Sequence, residues 1–415
     1  MTTNNKNIDK QGKKLLNVPN LRFPEFEGEW DRYKLEDIAT FLKDRVSSST
    51  LTKDNYVSTE NILQDFQGVI RSQGVPANFN VMVYKKGDIL ISNIRPYLKK
   101  VWKADRDGGC SADVFVMRAN KTLCNEGFLH HIIANDCFIA YVMSGAKGVK
   151  MPRGDKEQMK KYKTSLPSIA EQKKISSLLN LIDERIATQN RIIEDLKAKR
   201  KFMLEQLFCL PKEHTPKLRL KGMAGDWHKV RLCDIVERVT ERNKDNTCTR
   251  ILTIAAQYGL IDQQEFFNKQ IASSNLTTYY LLRKGDFAYN KSYSGDYPWG
   301  AVKRLDNYKE GVLSSLYVCF RPNKNIDSDF LCHYFESTKW YRGISEISGE
   351  GARNHGLLNI SVDDYFNTLH RIPSIEEQRQ ISKILNTITH KIKTEESIFD
   401  KFQKQKAYLL KEMFV

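Results

Sequence analysis

The sequence predicts an α+β fold in which two mixed α/β domains are joined by two long antiparallel helices, a coiled-coil-like spacer with internal pseudo-two-fold symmetry. Three observations predict it. The 415-residue chain carries the same short motifs, in the same order, in each half. Each half ends in a stretch of about 38 residues without Gly or Pro, enough for roughly 55–60 Å of α-helix. Between the motifs lie short β-branched and aromatic runs punctuated by Lys-Gly-Asp turns, which read as strands.

The repeat sets the domain layout. Pro19-Asn20-Leu21-Arg22 returns as Pro216-Lys217-Leu218-Arg219, Gly28-Glu29-Trp30 as Gly225-Asp226-Trp227, and Leu35-Glu36-Asp37-Ile38 as Leu232-Cys233-Asp234-Ile235. Lys86-Gly87-Asp88 returns as Lys284-Gly285-Asp286, and Leu166-Pro167-Ser168-Ile169-Ala170-Glu171-Gln172 as Ile372-Pro373-Ser374-Ile375-Glu376-Glu377-Gln378. The expected layout is a flexible N-terminal tail (1–17), a first domain (18–165), a first helix (166–210), a second domain (211–371) and a second helix (372–415). Between these anchors the two domains diverge, so two modules of one architecture are expected to bind two different things.

Within the domains, Val81 to Tyr84, Asp88 to Ser92, Val114 to Met117, Leu252 to Ala255 and Leu316 to Phe320 read as strands. Phe128 to Met143 and Ser328 to Arg342 read as helices. Each long helix opens on Ser168 or Ser374, with Glu171 or Glu377 three residues on as capping-box partner.

Apolar residues in the long helices then alternate at spacings of four and three. The first seam runs through Ile175, Leu179, Ile182, Ile186, Gln189, Ile193, Leu196, Arg200, Met203 and Leu207. The second runs through Ile381, Leu385, Ile388, Ile392, Glu395, Phe399, Phe402, Lys406, Leu409 and Met413. A parallel pairing stacks Arg200 on Lys406. An antiparallel register that sets Arg200 beside Glu395, Gln189 beside Lys406, Ile186 against Leu409, Ile193 against Phe402 and Leu196 against Phe399 buries opposite charges together, which costs far less. The other arrangement, each helix packing only on its own domain, leaves two matched seams without a partner.

Lys and Arg number 66 against 50 Asp and Glu, a formal charge of +16. That excess favours a polyanionic partner, with nucleic acid ahead of membranes or acidic proteins. No apolar run approaches the ~20 residues of a membrane span, and the polar start of the chain lacks the apolar core of a signal peptide. A cytoplasmic protein is expected. The eight cysteines form no Cys-x-x-Cys pair, so no zinc site is expected.

A search for catalytic chemistry finds no phosphate-binding Gly-rich loop before a Lys-Ser/Thr pair and no dinucleotide fingerprint. It finds no Asn-Pro-Pro-aromatic tetrapeptide for gripping a flipped base and no carboxylate cluster typical of metal nucleases. His130-His131 reads as partly buried helix rather than as a metal site. Base-reading chemistry is present instead. The segment after the strand ending at Ser92 offers Ser92, Asn93, Arg95, Tyr97, Lys99 and Lys100, and its counterpart offers Asn290, Lys291, Tyr293, Ser294 and Tyr297. A later basic loop adds Lys147, Lys150 and Arg153, with Arg353 and His355 in the Gly-rich counterpart. Arg, Lys, Asn and Ser read base edges, and Tyr, Lys and Ser grip phosphates. Ordinary solvated loops are the plain alternative.

The duplicated Pro-x-Leu-Arg…Gly-Glu/Asp-Trp…Leu-x-Asp-Ile openings, Lys-Gly-Asp turns and Pro-Ser-Ile-x-Glu-Gln helix starts resemble the specificity (S) subunit of type I restriction–modification enzymes, over nearly the whole chain. The resemblance implies two target recognition domains, each reading one half of a bipartite, asymmetric site in double-stranded DNA. It implies that the helices fix the gap and dock two methyltransferase (M) subunits, with restriction (R) subunits completing the complex. This chain would then be non-catalytic and bind no cofactor of its own. Adenine methylation with S-adenosylmethionine, and cleavage with ATP and Mg, would lie in the partners. The sequence reads identically for a methylation-only complex. A stand-alone DNA-modifying enzyme and a coiled-coil assembly scaffold remain as readings from other classes.

Overall fold

The computed structural model describes residues 17–267, 276–293, 295–348 and 356–415. The chain divides into two compact units, Met1–Arg191 with Glu396–Val415, and Ile192–Glu395. The mixture of helices and sheets in both units is the expected α+β class.

In the first unit, strands Ala39–Phe41, Val114–Ala119, Ile89–Ser92 and Val101–Lys103 form one antiparallel sheet in that spatial order. All four residues of Ile89–Ser92 are buried, because both faces of this central strand are covered. Ile89 and Ile91 join the main core with Phe128, Leu129, Ile175 and Leu179, while Leu90 faces a smaller core with Tyr84, Trp102 and Val116. A second sheet orders Arg45–Ser47, Asn80–Tyr84, Gly108–Cys110 and Tyr56–Val57, the last pair parallel. Asp31–Lys34 pairs antiparallel with Lys163–Leu166 and closes the domain onto the start of the first long helix.

The second unit repeats the plan. Val236–Arg238, Val318–Pro322, Phe287–Asn290 and Ala301–Arg304 give the same strand order. Phe287 and Tyr289 face the main core and Ala288 the smaller one. His228–Arg231 pairs with Leu369–Ile372 at the helix start. Tyr280–Arg283 pairs with Glu310–Leu313, and a hairpin of Leu252–Ala255 and Gly259–Asp262 adds to it.

The repeated motifs are the joints of this frame. Gly87 and Gly285 take φ of +92° and +94° in the Lys-Gly-Asp turns, a region that strains other residues. Asp88 accepts from the Lys85 amide at 2.7 Å and receives both arms of the Arg118 guanidinium at 2.7 Å. Asp286 does the same with Arg283 and Arg321. Arg22 forks onto Glu171 at 2.8 Å, and Arg219 onto Glu377 at 2.8 and 3.0 Å, tying each domain's opening to its own long helix. Gln172 and Gln378 accept from the Asn125 and Asp327 amides, which cap the helices Glu126–Ile133 and Ser328–Glu336. Ser168 and Ser374 do cap the Glu amides at 3.3 Å, but the Glu171 and Glu377 carboxylates serve the arginines rather than a capping box.

The long helices are Ile169–Gln206 and Ile375–Glu412. Each unit packs the first part of one against the last part of the other, which is an antiparallel arrangement. In the first unit Ile175, Leu179, Ile182 and Ile186 share a core with Leu409 and Met413. In the second, Met203, Leu204 and Leu207 share one with Ile381 and Leu385.

The register differs from the expected one. Lys406 pairs with Asp183 at 2.6 Å, not with Gln189. Arg200 donates to Thr389 at 2.8 Å and to Glu336, not to Glu395. Each pairing is displaced by six residues, close to one heptad. The charge partners come from Asp183 and from the domain helix that carries Glu336, neither of which belongs to the seam. Gln189 and Glu395 are buried as seam residues.

Two expected helices are each split. Glu126–Ile133 and Asp136–Ser144 replace one continuous helix, since Asn135 turns its side chain onto the Cys137 amide at 2.9 Å. Ser328–Glu336 and Tyr341–Ile347 flank Ser337, whose hydroxyl donates to Tyr334 O at 2.6 Å. Such short polar side chains compete with the helical backbone ladder. Strand Val318–Pro322 begins two residues later than expected, after an exposed Leu316. No described helix is long and apolar enough to cross a membrane.

Candidate nucleic-acid interface

In the first unit the chain leaves its central strand at Ser92 and turns sharply. Arg95 and Lys99 adopt left-handed φ of +50° and +53° around the short turn Pro96–Leu98. Non-glycine residues hold that conformation only where surroundings enforce it. Two braces do so. The Asp65 and Phe66 amides donate to Leu98 O and Lys99 O at 3.1 Å. On the other side Arg95 N donates to Pro152 O at 2.8 Å and Gly154 N to Asn93 O at 2.9 Å. The basic loop 147–153, itself closed by a Lys147–Arg153 bridge, is thereby stitched to the Arg95 turn. Sequence separates these two loops by fifty residues; the fold makes them one surface.

The second unit does the same. Tyr293 N donates to Gly356 O at 3.0 Å, Leu358 N to Lys291 O at 3.0 Å, and Ser292 bridges Leu357. Ser294, Arg353 and His355 lie outside the described residues.

The candidate side chains have unequal freedom. Arg95, Tyr97, Lys147, Lys150 and Arg153 are exposed, as is Tyr293. Asn93, Lys99, Lys100, Asn290, Lys291 and Tyr297 are half-buried. Lys100 Nζ donates to Thr59 O at 2.6 Å, Lys291 Nζ to Ile360 O at 3.3 Å, and the Tyr297 hydroxyl to Ala256 O at 3.2 Å. Ser92 does not belong to a DNA-facing set. It is 1% exposed, and its hydroxyl donates to Ile94 O at 3.0 Å while accepting from the Ile94 amide. It shapes the turn from inside.

Three acids temper the basic surface. Asp113 holds Arg153 at 2.8 Å, Asp155 holds Lys147 at 3.0 Å, and Asp136 holds Lys99 at 2.8 Å. The Asp155 carboxyl is held below its usual range by Lys147 and by the Gln158 and Glu157 amides. Neither these partners nor the Asp65-Phe66 brace carries a sequence signal, because all depend on contacts between distant segments.

Among the described residues, His130, His131 and Asp183 bring three ligand-capable groups within 4.8 Å of one another. The chemistry there is that of an ion pair beside neutral imidazoles. Lys406 neutralises Asp183, and His131 Nε2 lies 3.1 Å from Asn180 Oδ1. Burial and then the Lys406 charge push His131 down to about 3.

Comparison with known proteins gives one consistent likeness. Residues 27–198 match the family described as type I restriction modification DNA specificity domain. A specificity subunit of the type I restriction enzyme MjaVIII from Methanocaldococcus jannaschii is 22% identical over 94% of this chain and 92% of its own length. The chain thus carries a type I restriction modification DNA specificity domain in its first half, and over nearly its whole length it is similar to a type I specificity subunit. A type I restriction–modification S subunit from M. genitalium has the same fold, with a TM-score of 0.60 at 15% identity, covering 96% of this chain and 99% of that one. A chain from a study of complex assembly and conformational transition of the type I system gives 0.52 at 18% identity, covering 92% and 96%. A specificity subunit supplies DNA sequence recognition, works as part of a larger assembly, and comes from a generally non-catalytic family.

Proposed function

We propose that residues 18–165 and 211–371 are two target recognition domains, each reading one half of a bipartite, asymmetric DNA site. The helices 166–210 and 372–415 set the gap between half-sites and dock two methyltransferase subunits, and restriction subunits join the same assembly. The chain itself performs no chemistry; S-adenosylmethionine, ATP and Mg act in its partners. One observation carries this reading: the same frame is built twice, and each copy projects a stitched pair of loops with divergent polar residues from the same place. Duplication within one chain lets the halves diverge, so the site need not be palindromic as it is for dimeric readers. Exposed Arg95, Tyr97, Lys147, Lys150, Arg153 and Tyr293 are the first candidates for contact, with half-buried Asn93, Lys99, Lys100, Asn290, Lys291 and Tyr297 shaping the surface behind them.

The test is co-expression with the neighbouring methyltransferase genes, followed by genome-wide mapping of methyl-adenine. A two-part motif with a fixed gap is expected. Exchanging residues 40–160 for another module should change one half only. Inserting four residues, about one helical turn, into a long helix should change the gap and leave both halves intact. Methylation at no discrete motif, or a motif that both manipulations leave unchanged, would overturn the assignment.

A further inference from the structure

The stitched loops of the first unit carry an apolar tip that the folding of the domain does not need. Val149 is fully exposed, with Met151 at 49% and Tyr97 at 47%. A solitary exposed apolar residue is ordinary. Here, however, Val149 and Met151 lie on a loop locked by the Lys147–Arg153 bridge and by the hydrogen bond from Arg95 N to Pro152 O. Gly148 gives that loop its turn at φ +95°, where a Cβ would sit 3.2 Å from Met151 O. The tip is therefore held in its shape.

Its surroundings define the partner. Arg95, Lys99, Lys147, Lys150 and Arg153 lie on the same two stitched loops; Asp136, Asp155 and Asp113 offset three of the five, and no ion pair is formed by Arg95 or Lys150 among the described residues. An apolar tip inside a net positive rim fits a surface that is anionic at its edges and apolar at its centre. The major groove presents that pattern wherever a thymine 5-methyl group stands between two phosphate backbones.

Resting on the reading of this domain as a DNA reader, we infer that Val149 contacts a thymine methyl group in the half-site recognised by the first domain. Met151 packs behind it. The rim cations hold the loop in the groove through phosphates and supply no sequence information. The half-site then contains a thymine at one fixed position, and the loop distinguishes it from cytosine by the methyl group rather than by a hydrogen bond.

The test uses the complex reconstituted with its methyltransferase subunits, on duplexes carrying the mapped motif. Each thymine of the first half-site is replaced in turn by deoxyuridine, which removes only the methyl. One position should weaken binding about fourfold, the weight of one buried methyl group. Val149→Ala should bind the thymine duplex about as weakly as wild type binds the uracil duplex, and should no longer separate the two. Val149→Thr keeps the shape and one methyl, and should keep part of the discrimination. If wild type binds all uracil duplexes equally, or Val149→Ala still discriminates, the methyl contact is overturned while DNA reading stands. If the complex recognises no motif at all, the underlying assignment fails first.

Discussion

The two units solve one problem in the long helices in two ways, and the difference separates frame from filling. At each, a cation enters the seam and must be neutralised. In the first unit Lys406 meets Asp183 on the opposite long helix. In the second, Thr389 occupies the place that Asp183 holds in the repeat, and it only accepts a hydrogen bond from Arg200. The neutralising carboxylate has moved to Glu336, on a domain helix where the first unit has Ala134. The surrounding joints did not move: His131 reaches Asn180 at 3.1 Å and His333 reaches Asn386 at 2.8 Å. Duplicated architecture thus fixes where a charge must be met and leaves open which element meets it. The stitched surface loops, under no such constraint, differ more between the halves.

The largest effect should come from the joint common to both units. Glu171 and Glu377 are almost wholly buried, each receiving a forked arginine. Glu171→Ala or Glu377→Ala leaves a guanidinium uncompensated and should cost about 3–5 kcal/mol. The second should cost more by about 1 kcal/mol, since Trp227 Nε1 also donates to Glu377 at 3.3 Å while Trp30 Nε1 has no partner among the described residues. Urea unfolding of the full chain reads both. Equal costs would mean that the tryptophan contact contributes nothing.

The seam cations should divide the units by pH. Burial holds the Asp183 carboxyl above its usual range despite Lys406. Glu336 sits at about 2: burial pushes it up, but the hydrogen bond from His333 and the Arg200 charge outweigh it. Arg200→Met therefore strands a strongly ionised carboxylate and should cost about 3 kcal/mol. Lys406→Met should cost less, and less at pH 5 than at pH 7, because Asp183 escapes by taking up a proton. A Lys406→Met penalty that does not shrink on acidification would sink this distinction.

Much of this frame is legible in sequence because it is built from local, repeated signals. The Lys-Gly-Asp turns need Gly at positive φ, and the Ser168 and Ser374 starts need a capping hydroxyl. The seam follows from four–three spacing. What sequence hides is set by partners far along the chain. The heptad register depends on Glu336, which no seam pattern contains. The breaks at Asn135 and Ser337 arise from side chains that serve equally well inside a solvated helix. Ser92 looks like a base reader beside Asn93 and Arg95, yet it ends a strand whose two faces are both covered, and it is buried. The union of the Arg95 turn with loop 147–153 rests on main-chain bonds that no residue type announces.

The effect of buried imidazoles is the most diagnostic of unequal filling. The first unit buries two imidazoles in their neutral form. His131 is held at about 3, chiefly by burial and then by Lys406, and His130, which keeps a sliver of exposure, is held far down by burial, His131 and Lys406. The second unit has His370, pushed down to about 4 by burial. A base whose folded value is depressed gives the unfolded chain more protons between that value and about 6.5, so stability falls as pH drops through that window. From pH 6 to pH 5 the first unit should lose about 1.4 kcal/mol more than the second, the weight of one proton per pH unit. Amide exchange, followed separately over the strands Ile89–Ser92 and Phe287–Asn290, measures the two slopes in one sample. His131→Phe should remove the excess, whereas parallel slopes in the wild-type chain would mean that the Lys406 pocket admits water and protons as readily as its counterpart.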